Sequence, residues 1–561
     1  MTSSEKPLFS YQHHMQQPET HQVLNQPQSL FPFNTFSSDQ VLQYWTQVYT
    51  GHYHDPALLS AYGALCGNEL TDAGFAANQH KPVFHSHDRF GNRIDEVHYH
   101  PAYHRLMNNA VHHSLHCLPW QQPSTEALHT KRAALIYQHV QADPGTCCPL
   151  TMTFASVPAI RGTPEVAALW LDKITTTSYD PANKPWYDKN GLTIGMAMTE
   201  KQGGSDVKAN TTRAYPLGSR RPGQPYKLIG HKWFCSAPMS DAFLVLAQTE
   251  NGLSCFLLPR WQDDGSKNAL YIQRLKDKLG NCSNASSEIE FRGATGWLLG
   301  EEGRGVRTII DMVAMTRFDC VLGSAGLMRA AVAQALHHTA GRNAFGRPLH
   351  QQPLMQNVLA DLAVEQEAAL ALGLRLAYAL DHPRSEQQQL FARIATAIGK
   401  YWVCKRAPQM IYEAMECIGG VGYVEDNILP RLYREAPVNA IWEGSGNIQC
   451  LDILRAIQRE PATLEALFAE TECHAELAPY LSEIKQLLGK PEQAEFQARL
   501  LADRLAVLLQ GAILLQQGMP AVTEAFIHSR LEQRGTTNYG TLPAGSACET
   551  IIQRALPAIK S

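Results

Sequence analysis

The sequence lacks any apolar run of about 18 residues, the length a membrane-spanning helix requires. Its opening residues, MTSSEKPLFSYQHHMQQPETHQ, lack the apolar core of a secretory leader. Membrane spanning and secretion are therefore disfavoured, and a cytoplasmic setting is expected. Cys-x-x-Cys spacing is absent among the 13 scattered cysteines, which argues against a structural zinc site and a disulfide framework. An excess of charge of one sign is also missing. Asp and Glu number 52 and Lys and Arg 48, a formal net charge of −4, so no global positive field exists to hold a polyanion.

A chain of 561 residues with 44% apolar and 18% charged content is globular but too long for one core, so several domains are expected. Residues 1–190 read as a polar, Gln/Pro/His-rich arm followed by helices with apolar spacings of three and four. Histidine is concentrated there, with 16 of 23 before residue 150. His98, His100 and His104 invite a metal reading, but no acidic or cysteine cluster follows them, and no metal is expected. Residues 191–300 change character. Short runs such as IGMAMTE, AFLVLAQT and LSCFLLP, broken by turn residues, read as strands of a barrel or sandwich. Residues 301–460 return to long helical spacing, as in a bundle, and 461–561 form a last helical block. The class is α+β, mainly α. Helix, then sheet, then helix excludes an alternating dinucleotide-binding fold.

Five segments carry chemistry. Met198–Val207 (Met-Thr-Glu-Lys-Gln-Gly-Gly-Ser-Asp-Val) pairs Gly203 and Gly204 with the hydroxyls of Thr199 and Ser205. Glycine pairs let backbone approach a ligand closely, although a plain turn would look the same. In Gly230–Ser236, an aromatic pair ending in Ser236 can lay a ring on a flavin and offer it a hydroxyl, while core packing of Trp233 and Phe234 is the plain alternative. Arg342, at a helix end, has a planar fork suited to phosphate. Glu416–Tyr423 is a glycine-rich turn. In Ile441–Gln449, Glu443 follows Trp442 and precedes Gly444, and a carboxylate in apolar surroundings can serve as a base near neutrality.

In this order the five segments resemble the acyl-CoA dehydrogenase family over residues 190–455. The resemblance implies a helical domain, a β-barrel, a four-helix bundle, and FAD bound within a homo-oligomer, expected to be a tetramer. It assigns FAD contacts to Met198, Thr199, Gly203, Gly204, Ser205, Val207, Phe234, Cys235, Ser236, Arg342, Ile441, Trp442, Gly444, Ser445, Asn447 and Leu451. Glu443 matches the usual catalytic base, and Thr316 occupies the position of the base in the isovaleryl branch. Pro353 and Glu416 stand where glutamines are usual, which implies a looser hold on FAD. Further motifs, LYREAPVNAIWEGSGNI among them, and the extension past residue 460 are similar to the branch of that family acting in the bacterial response to DNA alkylation. That likeness places Arg455 near the substrate pocket as a buried cation of the catalytic site, while a helix pair with Asp452, three positions before it, is the plain alternative.

Two functions follow. One is oxidation of an acyl-CoA, isovaleryl-CoA-like, with Glu443 removing the α-proton. The other is binding and protection of double-stranded DNA, with a weak or vestigial dehydrogenase site or one that meets alkylating small molecules. The second is the reading preferred by resemblance. Residues 451–561 hold 10 Lys and Arg against 13 Asp and Glu, so DNA contact requires a one-faced patch. Arg499, Arg504, Arg530, Arg534 and Arg554 are its candidates.

Overall fold

The computed structural model describes residues 20–121, 126–532 and 538–559. Helices occupy most of the described residues up to Ile174, including α1 (Leu128–Ala142) and α2 (Pro144–Arg161). Proline at the first helical position of α2 loses no hydrogen bond, and Asp143 before it caps the helix by accepting from Thr146 N at 2.8 Å. Within this stretch, read from spacing as helical, lies an antiparallel hairpin of β1 (Val83–His87) and β2 (Arg93–His98). Histidines in and after it have partners of their own. His98 approaches Glu96, the ring of His100 accepts from Ala102 N to cap a helix, and His104 bonds the Tyr179 hydroxyl.

The strand-rich region holds β3 (Ile194–Ala197), β4 (Arg213–Pro216), β5 (Pro225–Ser236), β6 (Ala242–Thr249), β7 (Gly252–Pro259), β8 (Leu270–Leu275) and β9 (Ser286–Leu299). The order β6, β4, β5, β9, β7 closes on itself because β7 also pairs with β6, which makes a barrel. β3 lies parallel to β6, and β8 pairs with β9. The unbroken apolar run of β6 follows from burial on both faces. Phe243, Val245 and Ala247 point into the barrel with Tyr226, Phe256 and Phe291. Ala242, Leu244 and Leu246 alternate outward against Phe154, Val157 and Trp170 of the helical layer.

The bundle is built on α3 (Ile310–Gly341), α4 (Pro353–Leu380) and α5 (Glu386–Ile418), followed by α6 (Leu429–Asn439) and α7 (Gly446–Arg459). These long helices are apolar on several sides because helices surround them. The terminal block, with α8 (Ala498–Gln517) at its centre, continues the same core. Leu505 and Leu508 of α8 and Ile551 belong to one buried cluster with Leu362 and Leu370 of α4. Among the described residues no helix is long and apolar enough to cross a membrane.

Candidate active site

The turn between α6 and α7 carries Glu443 in the left-handed region, φ 57°, and Gly444 beside it, φ 98°. For a non-glycine residue this conformation costs roughly 1–2 kcal/mol and needs support from its surroundings. Support comes from three buried or half-buried side chains. Arg317 Nε donates to Glu443 O at 3.0 Å. Lys400 Nζ donates to Trp442 O at 2.8 Å and Gly444 O at 2.7 Å. Gln449 Nε2 donates to Glu443 O at 3.2 Å and Gly444 O at 2.9 Å. Position 444 must be glycine on two counts, its φ and its crowding: a Cβ there would sit 2.8 Å from Gln449 Nε2. The clamped turn aims the Glu443 carboxylate at α3, where Thr316 Oγ1 donates to Oε2 at 2.7 Å. The two positions weighed as alternative bases are thus in direct contact.

Around this pair opens a cavity of about 1800 Å³. The barrel contributes Met198, Thr199, Gly204, Ser205, Val207, Phe234 and Ser236 to its wall. The turn and α7 contribute Ile441, Trp442, Glu443, Gly444, Ser445, Leu451 and Arg455. Four expected cofactor contacts do not border it. Cys235 is a correction with a plain cause: strand alternation puts Phe234 and Ser236 on the cavity side and turns Cys235 into the barrel core, where burial pushes its thiol up to about 12. Gly203 is tied back to Glu200 through both backbone groups. Arg342 donates to Asn25 O at 3.0 Å, away from the cavity. Asn447 Oδ1 accepts from Arg499 Nε at 2.8 Å.

Sequence reasoning missed the residues that hold these segments in place. Glu200 and Lys232 form an ion pair at 2.9 Å with both side chains fully buried. Burial alone would raise the Glu200 carboxyl, but Lys232 and donors from Thr211 and Thr212 hold it well below the usual carboxylate range. This pair fastens Met198–Val207 to β5. Glu435 accepts from Asn281 N at 2.8 Å and pins the loop carrying Lys278. Burial, with Asp143 nearby, pushes its carboxyl up to about 7. Cys148 borders the cavity with its thiol raised to about 11 by burial, so it is protonated and not a nucleophile. Arg317 and Arg393 were not singled out, yet both bond Asp452. Arg455 also bonds Asp452, at 3.2 Å, but 53% of its side chain is exposed, which corrects the expectation of a buried cation.

The expected DNA contacts fare differently. Arg530 is 11% exposed and bonds Asp361 and Glu365, and Arg554 bonds Glu367 at 2.9 Å. Both face inward onto buried carboxylates of α4, which removes them as phosphate contacts. Arg504 pairs with Glu483 at 3.0 Å. Arg499 remains on the surface with no carboxylate bonded to it among the described residues. Arg534 lies outside the described residues.

Comparison with known proteins accounts for this assembly of barrel, bundle and clamped turn. Residues 25–181 match the adaptive response protein AidB N-terminal domain, 195–294 the acyl-CoA dehydrogenase middle domain, and 303–458 the acyl-CoA dehydrogenase C-terminal domain. The acyl-CoA dehydrogenase-like protein AidB of Escherichia coli K12 is 44% identical over 525 residues, covering 92% of this chain and 95% of that protein. Caenorhabditis elegans ACDH-11, solved in complex with C11-CoA, superposes with a TM-score of 0.81 at 24% identity, over 98% of this chain and 95% of that one. A Bacillus anthracis acyl-CoA dehydrogenase complexed with FAD shares the fold at a TM-score of 0.61 and 18% identity, over 81% of each chain.

Proposed function

The chain belongs to the acyl-CoA dehydrogenase family of FAD oxidoreductases, and from that premise we propose that its cavity binds FAD and an acyl thioester, with Glu443 taking the proton from the carbon beside the thioester carbonyl. The observation that carries the reading is the Glu443 carboxylate, held by the clamped turn and by Thr316 on the wall of a cavity of about 1800 Å³.

The wall fits a flavin. Among the described residues the hydroxyls of Thr199 and Ser205 have no hydrogen-bond partner within the chain, and half of the Phe234 ring is exposed where a flat ring could lie. Met198, Thr199, Ser205, Phe234 and Ser236 would hold FAD on the barrel side, and Ile441–Leu451 on the other. Bound FAD supplies an acceptor for the hydride that leaves the β-carbon. The chain supplies the rest. Glu443 accepts the α-proton while the electron pair of that bond forms the new carbon–carbon double bond. Thr316 keeps one carboxylate oxygen in place, so the other is free to reach the substrate. The backbone N–H of Glu443, which donates to no acceptor among the described residues, is available to the thioester carbonyl.

The test is anaerobic bleaching of the flavin by a straight-chain or isovaleryl-type acyl-CoA. Glu443→Gln slows bleaching by about 10² or more, as expected for loss of a general base. An unchanged rate sinks the assignment.

A second reading rests on the adaptive-response protein matched by residues 25–181. In it the cytoplasmic homo-oligomer, a tetramer, binds double-stranded DNA and protects it from alkylation, with dehydrogenation weak. Against it stands the stretch 451–561, whose net charge is −3, from 10 basic and 13 acidic residues, and whose arginines in the terminal block are mostly paired. Duplex titration at two salt concentrations decides, because phosphate binding weakens steeply with salt.

A further inference from the structure

The face of α7 that borders the cavity presents Ile448, Leu451, Asp452 and Arg455. On Asp452 converge three guanidinium groups from three helices. Arg317 Nη1 of α3 donates to Oδ2 at 2.8 Å. Arg393 of α5 donates through Nη1 to Oδ2 at 3.1 Å and through Nη2 to Oδ1 at 3.0 Å. Arg455 Nη1 donates to Oδ1 at 3.2 Å. All four residues border the cavity. No other carboxylate bonds any of the three arginines among the described residues. Three positive charges against one negative leave the cluster at +2, and donors on Arg455 and Arg317 are not used up by Asp452.

Simple neutralisation of a buried charge looks different behind the wall of this same cavity, which Asp319 and Thr151 border. There Arg132 meets Asp319 through two bonds of 2.7 Å, one cation to one carboxylate, with Thr151 completing the shell. The cluster on α7 is overfilled with cations by comparison. It is also joined to the reacting turn, since Arg317 holds Glu443 O on one edge of its plane and Asp452 on another. A ligand whose reacting carbon lies at Glu443 therefore has its tail within short reach of the cluster. A purely apolar tail would strip water from guanidinium groups and return nothing, which is costly. A carboxylate would meet planar donors arranged for it.

We propose that this cluster is a tail-recognition site, and that the acyl thioester taken by the cavity is short and ends in a carboxylate. The proposal rests on the acyl-thioester reading of the site and names its substrate class. The experiment is calorimetric titration of the flavin-loaded protein with glutaryl-CoA and with its neutral isostere, 5-methylhexanoyl-CoA. Glutaryl-CoA should bind about tenfold or more tighter, the gain expected of a charge-assisted hydrogen bond. Arg393→Gln and Arg455→Gln should each cut that preference severalfold. Asp452→Asn should enlarge it, because the cluster then carries +3, and this opposite sign separates charge recognition from loss of fold. Equal affinity for the two thioesters, or a preference untouched by both arginine variants, overturns the proposal while the acyl-thioester reading stands. Binding of neither thioester overturns both.

Discussion

Arginines in two regions of this molecule do opposite work. On the cavity face of α7, three of them crowd one carboxylate and leave positive charge to spare. For three arginines of the terminal block the carboxylates match or outnumber them: Arg530 faces Asp361 and Glu365, Arg554 faces Glu367, and Arg504 faces Glu483. A count of charges along the chain cannot separate these cases. A cation already spent on a buried carboxylate is structural, and one in excess of its partners is available to a ligand.

The largest effect should come from breaking a spent pair. Arg530→Ala leaves buried Asp361 without its arginine and Glu365 with Arg406 alone, and unfolding in denaturant should show a loss of about 3 kcal/mol. Burial alone would raise the Glu365 carboxyl, but Arg406 and Arg530 hold it below the ordinary range. Its contribution to stability is therefore present above the ordinary carboxylate range and fades as pH falls through the lowered folded value. The variant should lose part of that acid-side slope. A cost below about 1 kcal/mol, the scale of a surface pair, would place Arg530 with the surface cations and break the contrast.

Next in size is the contact between the two candidate base positions. Thr316→Val removes the donor to Glu443 Oε2 while keeping the shape of the side chain. Flavin reduction should slow by about tenfold with thioester affinity unchanged, the value of one hydrogen bond to a charged group. Thr316→Ser should restore the rate. Loss of affinity instead of rate would mean that Thr316 shapes the pocket and does not steady the carboxylate.

The contrast also explains what could be read from the sequence. Both motif segments of the site were visible because each is local: Met198–Val207 and Ile441–Gln449 carry their glycines and hydroxyls within ten residues or fewer. The strands were visible because alternation and turn residues are local too. Cys235 was misassigned although the same period of two could have separated it from Phe234 and Ser236. The hairpin Val83–His98 was hidden among helices, its only signal the alternating histidines. The Asp452–Arg455 pair was legible from its spacing of three on one helix, but pairing between distant segments was not. Arg530 and Asp361 are 169 positions apart, and Arg317 and Asp452 are 135 apart, so no spacing rule connects them. The shared core of α8 and α4 was hidden for the same reason. It means that removal of residues 461–561 would uncover the bundle and is a poor test of where DNA binds.

The smallest effects lie on the surface of the terminal block, where point variants can test DNA binding without disturbing the bundle. Arg499 and Arg504 are both on α8, and the structure distinguishes them. Arg504 bonds Glu483, with each side chain partly exposed, so Arg504→Ala should change stability by about 1 kcal/mol or less. Its charge is already answered, so duplex affinity and its salt dependence should stay within error. Arg499 hydrogen-bonds only the neutral amide of Asn447 among the described residues, with Asp503 near but not bonded to it, so its guanidinium keeps donors for a phosphate. If the duplex docks on this block, Arg499→Ala should weaken every sequence alike and lower the slope of log affinity against log salt by about one, the share of a single neutralised phosphate. Titration of both variants with two unrelated duplexes at two salt concentrations reads the difference. An effect at Arg504 with none at Arg499 would reverse the distinction between spent and spare arginines on this surface. No effect at either, with the parent protein still binding duplex, would move DNA recognition off α8.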